Sequence, residues 1–184
     1  MTPGATGAHQ VRPARHVAAS DVEAFKRGMQ SLAGHVTVLT TRDTDGSPVG
    51  ITATAVCSLT AEPPSLLASI NRSTWLGAVL DRSGAFGVNI LSHEQVQVAR
   101  VFAGMDPSRR GSGRFDVGSW TDGVNGSPLL DDALASFDCT LDDLVVRSTH
   151  LVAFGLIAES RVLEQAADPL IYHRRLFGTM AAVG

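Results

Sequence analysis

Apolar residues at helical spacing open the readable part of the chain: Val22, Phe25, Met29 and Leu32 predict a helix with one apolar face. Ser20-Asp21-Val22-Glu23 reads as its capping box, the Ser hydroxyl taking a backbone N–H while Glu23 reaches back. Gly34 is placed to end that helix. From His35 to Thr41 the pattern changes to a β-branched run, a strand signal. Asp43-Thr44-Asp45-Gly46 is a turn, and Val49 to Val56 the returning strand of a hairpin. Glu62-Pro63-Pro64 interrupts the chain, because proline donates nothing to a sheet ladder. Ser65 to Ile70 is a third strand, apolar enough to be buried. Ser73-Thr74 caps a short helix running to about Leu80, and Ala85 to Leu91 is a fourth strand.

Ser92 caps a second short helix, with Glu94, Gln95 and Gln97 expected outside and Val96, Ala99 and Phe102 inside. Residues 104–127 are rich in Gly, Ser, Pro, Arg and Asp; a connection this long is functional or mobile. Two long strand-like runs follow, Leu134–Val146 and Leu151–Leu163, broken near Ser148-Thr149. Leu170–Tyr172 is a last short strand. Regular βαβ alternation is missing, which argues against a doubly wound parallel sheet. The order predicts a mainly β, α+β chain: a closed or partly closed antiparallel barrel with short peripheral helices.

Composition adds bounds. The chain's 184 residues suit one domain, read here as 20–184 behind a disordered tail at 1–19. Net charge is −3 and Lys26 is the single lysine, so no broad basic face exists for nucleic acid. Arg109-Arg110 and Arg174-Arg175 are local exceptions. Cys57 and Cys139 form no C-x-x-C, Cys57 reads as a small buried residue, and a reduced cytoplasmic setting is the default. No apolar run reaches membrane-spanning length, and the N-terminus lacks a signal-peptide h-region.

The standard motifs are absent. Gly111-Ser112-Gly113 lacks the third glycine of a dinucleotide fingerprint, and no P-loop, H-E-x-x-H or G-x-S-x-G occurs. The six histidines show no paired ligand spacing, so no metal is expected.

Three stretches go further. They are Gly50–Pro64 (G-I-T-A-T-A-V-C-S-L-T-A-E-P-P); Asn71-Arg72-Ser73-Thr74 with Phe86–Leu91; and His150-Leu151 with Pro169–Arg175. In this order and spacing they resemble the flavin reductase family with the FMN-binding split barrel. The small reductase components of two-component flavin monooxygenases, of the 4-hydroxyphenylacetate type, are the nearest likeness. The resemblance spans residues 22–178. It implies a homodimeric antiparallel Greek-key split barrel that binds FMN or FAD. It implies reduction of that flavin by NADH or NADPH, and release of reduced flavin to a partner flavin-dependent monooxygenase.

Carried over, the resemblance places Thr52, Ala53 and Thr54 at the isoalloxazine, Ser58 near the ribityl chain, and Asn71, Ser73 and Thr74 at the phosphate. Asn89, Ile90 and Leu91 would edge the ring or chain. His150, the candidate catalytic residue, would sit by the nicotinamide, and Tyr172 would border the site. The chemistry suits these types. Threonine hydroxyls can meet ring carbonyls, alanine permits close approach, and a Ser-Thr helix start offers free N–H groups to an anion. The 104–127 loop, with Arg109, Arg110, Arg114 and Phe115, would cover the site. Each residue also has a plain structural use: strand threonines, a helix cap, a surface histidine, a strand-end asparagine. Two further functions stay open: reduction of another acceptor such as a corrinoid, or non-enzymatic flavin binding. FMN against FAD, and NADH against NADPH, are not decided by the sequence.

Overall fold

A computed structural model describes residues 19–165 and 167–181. Apart from Ala19, the expected N-terminal tail lies outside the described residues. Among these residues, three α-helices, α1 (Ala19–Met29), α2 (Trp75–Ser83) and α3 (Val96–Phe102), accompany twelve strands. Seven strands form one antiparallel sheet: β2 (Thr37–Arg42), β3 (Pro48–Ala53), β4 (Val56–Ala61), β5 (Pro64–Asn71), β6 (Ala85–Ile90), β9 (Ala135–Arg147) and β10 (His150–Val162). Their order across the sheet is β3-β2-β6-β9-β10-β5-β4. The remaining strands are β1 (Gly34–His35), β7 (Trp120–Asp122), β8 (Pro128–Leu130), β11 (Ile171–His173) and β12 (Leu176–Gly178). They form a three-stranded sheet β1-β11-β12 and the pair β7-β8.

The order explains the shape. β3 and β4 lie at opposite edges, yet only Thr54 and Ala55 separate them in sequence. Two residues cannot span a flat seven-stranded sheet, whose strands lie about 4.8 Å apart. The sheet must therefore roll up, and it stays unpaired along the β3–β4 seam. The expected antiparallel split barrel is thus the observed architecture.

Strand alternation fills two cores. Leu39 of β2 enters the barrel interior with Leu66, Ile70, Phe86, Val88 and Ala153, capped by Leu76, Val79 and Leu80 of α2. Its neighbour Val38 points to the other face, into a cluster with Val36, Leu91, Val101, Phe102 and Leu170. Covered on both faces, β2 reads as a continuous apolar and threonine run rather than an alternating one. The buried threonine hydroxyls are satisfied: Thr37 donates to Ala53 O at 2.8 Å, and Thr41 to Ala85 O at 2.7 Å.

Several expectations need correction. The 49–56 strand is two strands, because the seam breaks it at Thr54-Ala55, and Glu62-Pro63 turns β4 directly into β5. Gly34 does not cap α1; it pairs with Tyr172 in β1. Ser20 lies inside α1 rather than at its cap, and Glu23 instead accepts from Lys26 Nζ at 2.8 Å. The helix ends at Met29, before Leu32, and among the described residues its apolar face is uncovered: Phe25 is 66% exposed and Met29 49%. Gln95 is buried, its amide bridging Ser92 N at 2.9 Å and Asp132 O at 2.9 Å, because the short helix turns that face inward. Cys57 is exposed on edge strand β4, while Cys139 is buried and its thiol is pushed up to about 12, chiefly by burial.

Candidate functional site

The seam opens into a groove of about 490 Å³. The run Val49–Ala55 forms one wall, Ser69 and Asn71 of β5 another, and Thr74, Trp75, Phe102, Ala103, Gly111 and Arg114 close the ends. Five of the expected contacts, Thr52, Ala53, Thr54, Asn71 and Thr74, therefore share one cavity. Thr52 Oγ1 donates to Ala99 O at 2.7 Å, which fixes the seam to α3. Among the described residues Thr54 makes no side-chain hydrogen bond, so its exposed hydroxyl is open to a ligand.

At the other end, the turn before α2 is organised by Asn71. Its Oδ1 accepts from Ser73 N at 3.0 Å and Ser73 Oγ at 2.9 Å, and its carbonyl accepts from Thr74 Oγ1 at 2.7 Å. Thr74 is the N-cap and accepts from Gly77 N at 3.1 Å. The remaining first-turn N–H groups have no intrahelical acceptor and carry the positive end of the helix dipole. Gly77 is required here: a Cβ would stand 2.4 Å from the Asn71 carbonyl oxygen. Ser73 lies at the lip of this turn without lining the cavity.

Arg114 comes from the long connection, within a 3-10 segment at Gly111–Asp116. Its Nη1 donates to Gly50 O at 3.2 Å and Phe102 O at 3.3 Å, while Nε is buried without an acceptor. No carboxylate pairs with it among the described residues. The segment is anchored by Phe115, whose ring meets Phe102 at 4.9 Å and Trp120 at 5.0 Å. Arg109 is occupied by Asp106 and Asp116, and Arg110 donates to Pro107 O, so neither lines the groove.

Other expected residues lie elsewhere. Tyr172 borders an adjoining hollow with Thr52, Ala53 and Thr54, its ring tilted against Phe177 with centroids 5.1 Å apart. A second hollow of about 520 Å³ runs from Thr54-Ala55 past Tyr172 to Phe25, Leu32, Arg174 and Arg175. His150 is exposed opposite Asn71 in the β10–β5 ladder, its Nδ1 2.9 Å from Thr149 Oγ1, near the phosphate end rather than beside Thr52. Ser58 is exposed on β4. Asn89 is fully buried, bonding Val38 O, Leu130 N and Ser136 Oγ, and Leu91 packs in the second core. Ile90 is half-buried beside Thr37. Trp75, Ser69 and Gly111 were not anticipated; the Ser-Thr cap immediately before Trp75 was the signal for the first.

The donor set fits a planar ring system carrying a phosphate. It offers a free strand edge with hydroxyls, an uncompensated guanidinium, and a capped helix start in one cavity. His, Cys, Asp and Glu form no metal-holding cluster among the described residues.

Comparison with known proteins agrees. The flavin reductase like domain model matches residues 29–181. The 4-hydroxyphenylacetate 3-monooxygenase reductase component of Pseudomonas aeruginosa is 40% identical over 157 residues, covering 84% of this chain and 89% of that one. The NADH-dependent FMN reductase RutF of Pseudomonas syringae is 37% identical, covering 88% of each. Among solved structures, nitrilotriacetate monooxygenase component B from Mycobacterium thermoresistibile superposes with a TM-score of 0.79 at 29% identity, covering 89% of this chain and 88% of that one. With the seam groove, the capped helix start and a match over most of its length, this chain belongs to the flavin reductase like domain family.

Proposed function

We propose that this chain is an NAD(P)H-dependent flavin reductase that reduces FMN or FAD and releases it to a flavin-dependent monooxygenase. The observation that carries this reading is the shared groove. Thr52–Ala55 along the seam and Asn71 and Thr74 of the turn before α2 line one cavity, which can take the ring and phosphate ends of one ligand. When bound, the flavin supplies the hydride acceptor, which the protein alone lacks. The chain's residues bind and orient. Thr54 offers its hydroxyl to the ring edge, Ala53 permits close approach, and Arg114 supplies positive charge. The α2 start holds the phosphate through its free N–H groups, while Ser73 and Thr74, bonded to Asn71, shape the turn that presents them.

The hollow past Tyr172, continuous with the groove at Thr54, gives the nicotinamide donor room beside the ring. His150 orients the donor or the phosphate arm from the exposed end of β10, and Ser58 lies along the ribityl side. Asn89, Ile90 and Leu91 act by fixing the end of β6. The uncovered α1 face supports a homodimer. Absence of any long apolar helix among the described residues fits a cytoplasmic setting.

The test is anaerobic mixing of the protein with FMN or FAD and NADH or NADPH. Rapid loss of the flavin's visible absorbance is expected. No bleaching with any of the four pairs would reject the reading, and tight flavin retention with NADH oxidation that depends on an added corrinoid would redirect it.

A further inference from the structure

Trp75 is the first residue of α2, immediately after the phosphate turn, and it lines the groove. Its indole remains 44% exposed, yet it is held on two sides. Nε1 donates to Asp43 Oδ2 at 3.0 Å. Asp43 is in turn fixed by Arg82 Nη2 at 3.2 Å and Thr44 N at 2.8 Å. That indole bond, first among these contacts, holds the Asp43 carboxyl below its usual range, so it stays an acceptor at neutral pH. On the opposite side, Gly111 brings the loop backbone against the ring: a Cβ there would stand 3.6 Å from Trp75 Cζ3. Gly111 has φ +56°, a conformation that favours glycine.

A fixed, half-exposed indole loses little freedom when a second ring stacks on it. Two exposed arginines adjoin these segments in sequence without lining the groove: Arg72 in the phosphate turn, whose Nη1 donates to Ser148 O at 3.3 Å, and Arg110 next to Gly111, whose Nε donates to Pro107 O at 3.3 Å. Among the described residues neither has a carboxylate partner. Along the groove wall the phosphate turn is therefore followed directly by an aromatic platform. An adenosine diphosphate extension of a flavin presents a phosphate and then an aromatic base to such a pair.

Resting on the flavin reading of this groove, we propose that Trp75 is a stacking platform for the adenine of FAD, so that the chain prefers FAD to FMN. Base–aromatic stacking is worth about 1–3 kcal/mol, an affinity ratio of about 5- to 150-fold. The indole is oriented by Asp43, which acts as a positioning residue.

The experiment is titration of the full chain with FAD, FMN and riboflavin, with Trp75→Ala, Trp75→Phe and Asp43→Asn alongside. Wild type should bind FAD more tightly than FMN by that ratio. W75A should lose several-fold more affinity for FAD than for FMN, W75F should keep most of the preference, and D43N should lose part of it. The proposal is overturned if wild type binds FAD and FMN equally, or if W75A weakens both by the same factor. It is also overturned if W75A leaves flavin affinity alone and raises only the KM for NADH, which would assign the indole to the donor's adenine. Should W75A fail to fold, W75F and D43N read the same preference. Failure of all flavins to bind would instead reject the function itself.

Discussion

Arg114 Nη1 donates to the Gly50 carbonyl at 3.2 Å, joining the long connection to the wall of the seam across 64 residues of chain. Its guanidinium lies at the groove without a carboxylate beside it, so two carbonyls and any bound anion must balance the charge. Charge-assisted hydrogen bonds contribute about 1.5–3 kcal/mol each. Arg114→Ala should raise the KM for flavin about tenfold or more and lower the melting temperature, because the Gly111–Asp116 segment loses its tie. Arg114→Lys restores the charge but not the planar fork, and should recover flavin affinity only in part. Steady-state kinetics over flavin and NADH separately, with thermal unfolding, check this. Arg109→Ala with Arg110→Ala should act less on flavin KM than R114A, since Arg109 is bound within the loop and neither lines the groove.

Much of this was legible in the sequence, for physical reasons that differ by region. The β2 run, the α2 cap and the long β9–β10 hairpin follow from local rules of branching, capping and length. The seam does not, because Thr54-Ala55 carries no turn signal; it is broken by closure of a barrel, a non-local event. Asn89 resembles a ligand residue on a strand end, yet its amide is consumed by three core partners that only the fold brings together. The Arg114 position was readable as part of a cover, but which arginine of three faces the groove is set by the Phe102, Phe115 and Trp120 cluster. The apolar face of α1 was legible as a pattern; its exposure among the described residues was not, because what packs on a helix is set by the fold.

That uncovered face gives the second expectation. Val22, Phe25, Met29 and Leu32 are 39–66% exposed, and the hollow beside them carries Arg174 and Arg175. Fully burying a Phe, Met or Leu side chain is worth about 1.5–3 kcal/mol. A second copy covering this face would therefore gain substantially, while a lone chain would expose a contiguous apolar stripe. Phe25→Glu with Leu32→Glu should shift the protein from dimer to monomer in sedimentation equilibrium. Reduced flavin turnover should accompany the shift, because the same hollow opens onto Thr54. A wild type that sediments as a monomer at micromolar concentration would remove the idea.

The phosphate turn offers a sharper test of ligand register. At Gly77 an added Cβ meets backbone, 2.4 Å from Asn71 O and 3.0 Å from Arg72 Cα, so no side-chain rotation relieves it. Gly77→Ala gains about 1 kcal/mol of helix propensity but loses about 1–3 kcal/mol to overpacking. The turn must move away from α2, and its N–H groups move with it. G77A should bind FMN about tenfold more weakly or worse while riboflavin, which has no phosphate, changes little. Equal loss for both flavins would mean that Gly77 serves packing alone.

Asp138 carries the last expectation, on pH. It is fully buried on β9, and its carboxyl is raised above the ordinary value of 3.8 chiefly by burial. Oδ2 accepts from Asn125 N at 2.5 Å, while Oδ1 has no hydrogen-bond partner among the described residues. Ser127 and Asn125 from the turn before β8 favour the charged form, and so does Arg161 on β10; Glu159, also on β10, opposes it. A carboxyl whose folded value exceeds its unfolded one binds more protons when folded. Its stabilising contribution is then complete below 3.8 and is lost as pH climbs through the raised folded value. Asp138→Asn keeps a carbonyl oxygen for Asn125 N and removes the buried charge. Urea unfolding between pH 4 and 8 should show wild type losing stability relative to D138N as pH rises. The variant should be more stable at pH 7 by on the order of 1 kcal/mol. Asp138→Ala, which strands the Asn125 N–H, should be less stable than both across the range. A D138N curve parallel to wild type would mean that this carboxylate titrates as an ordinary one.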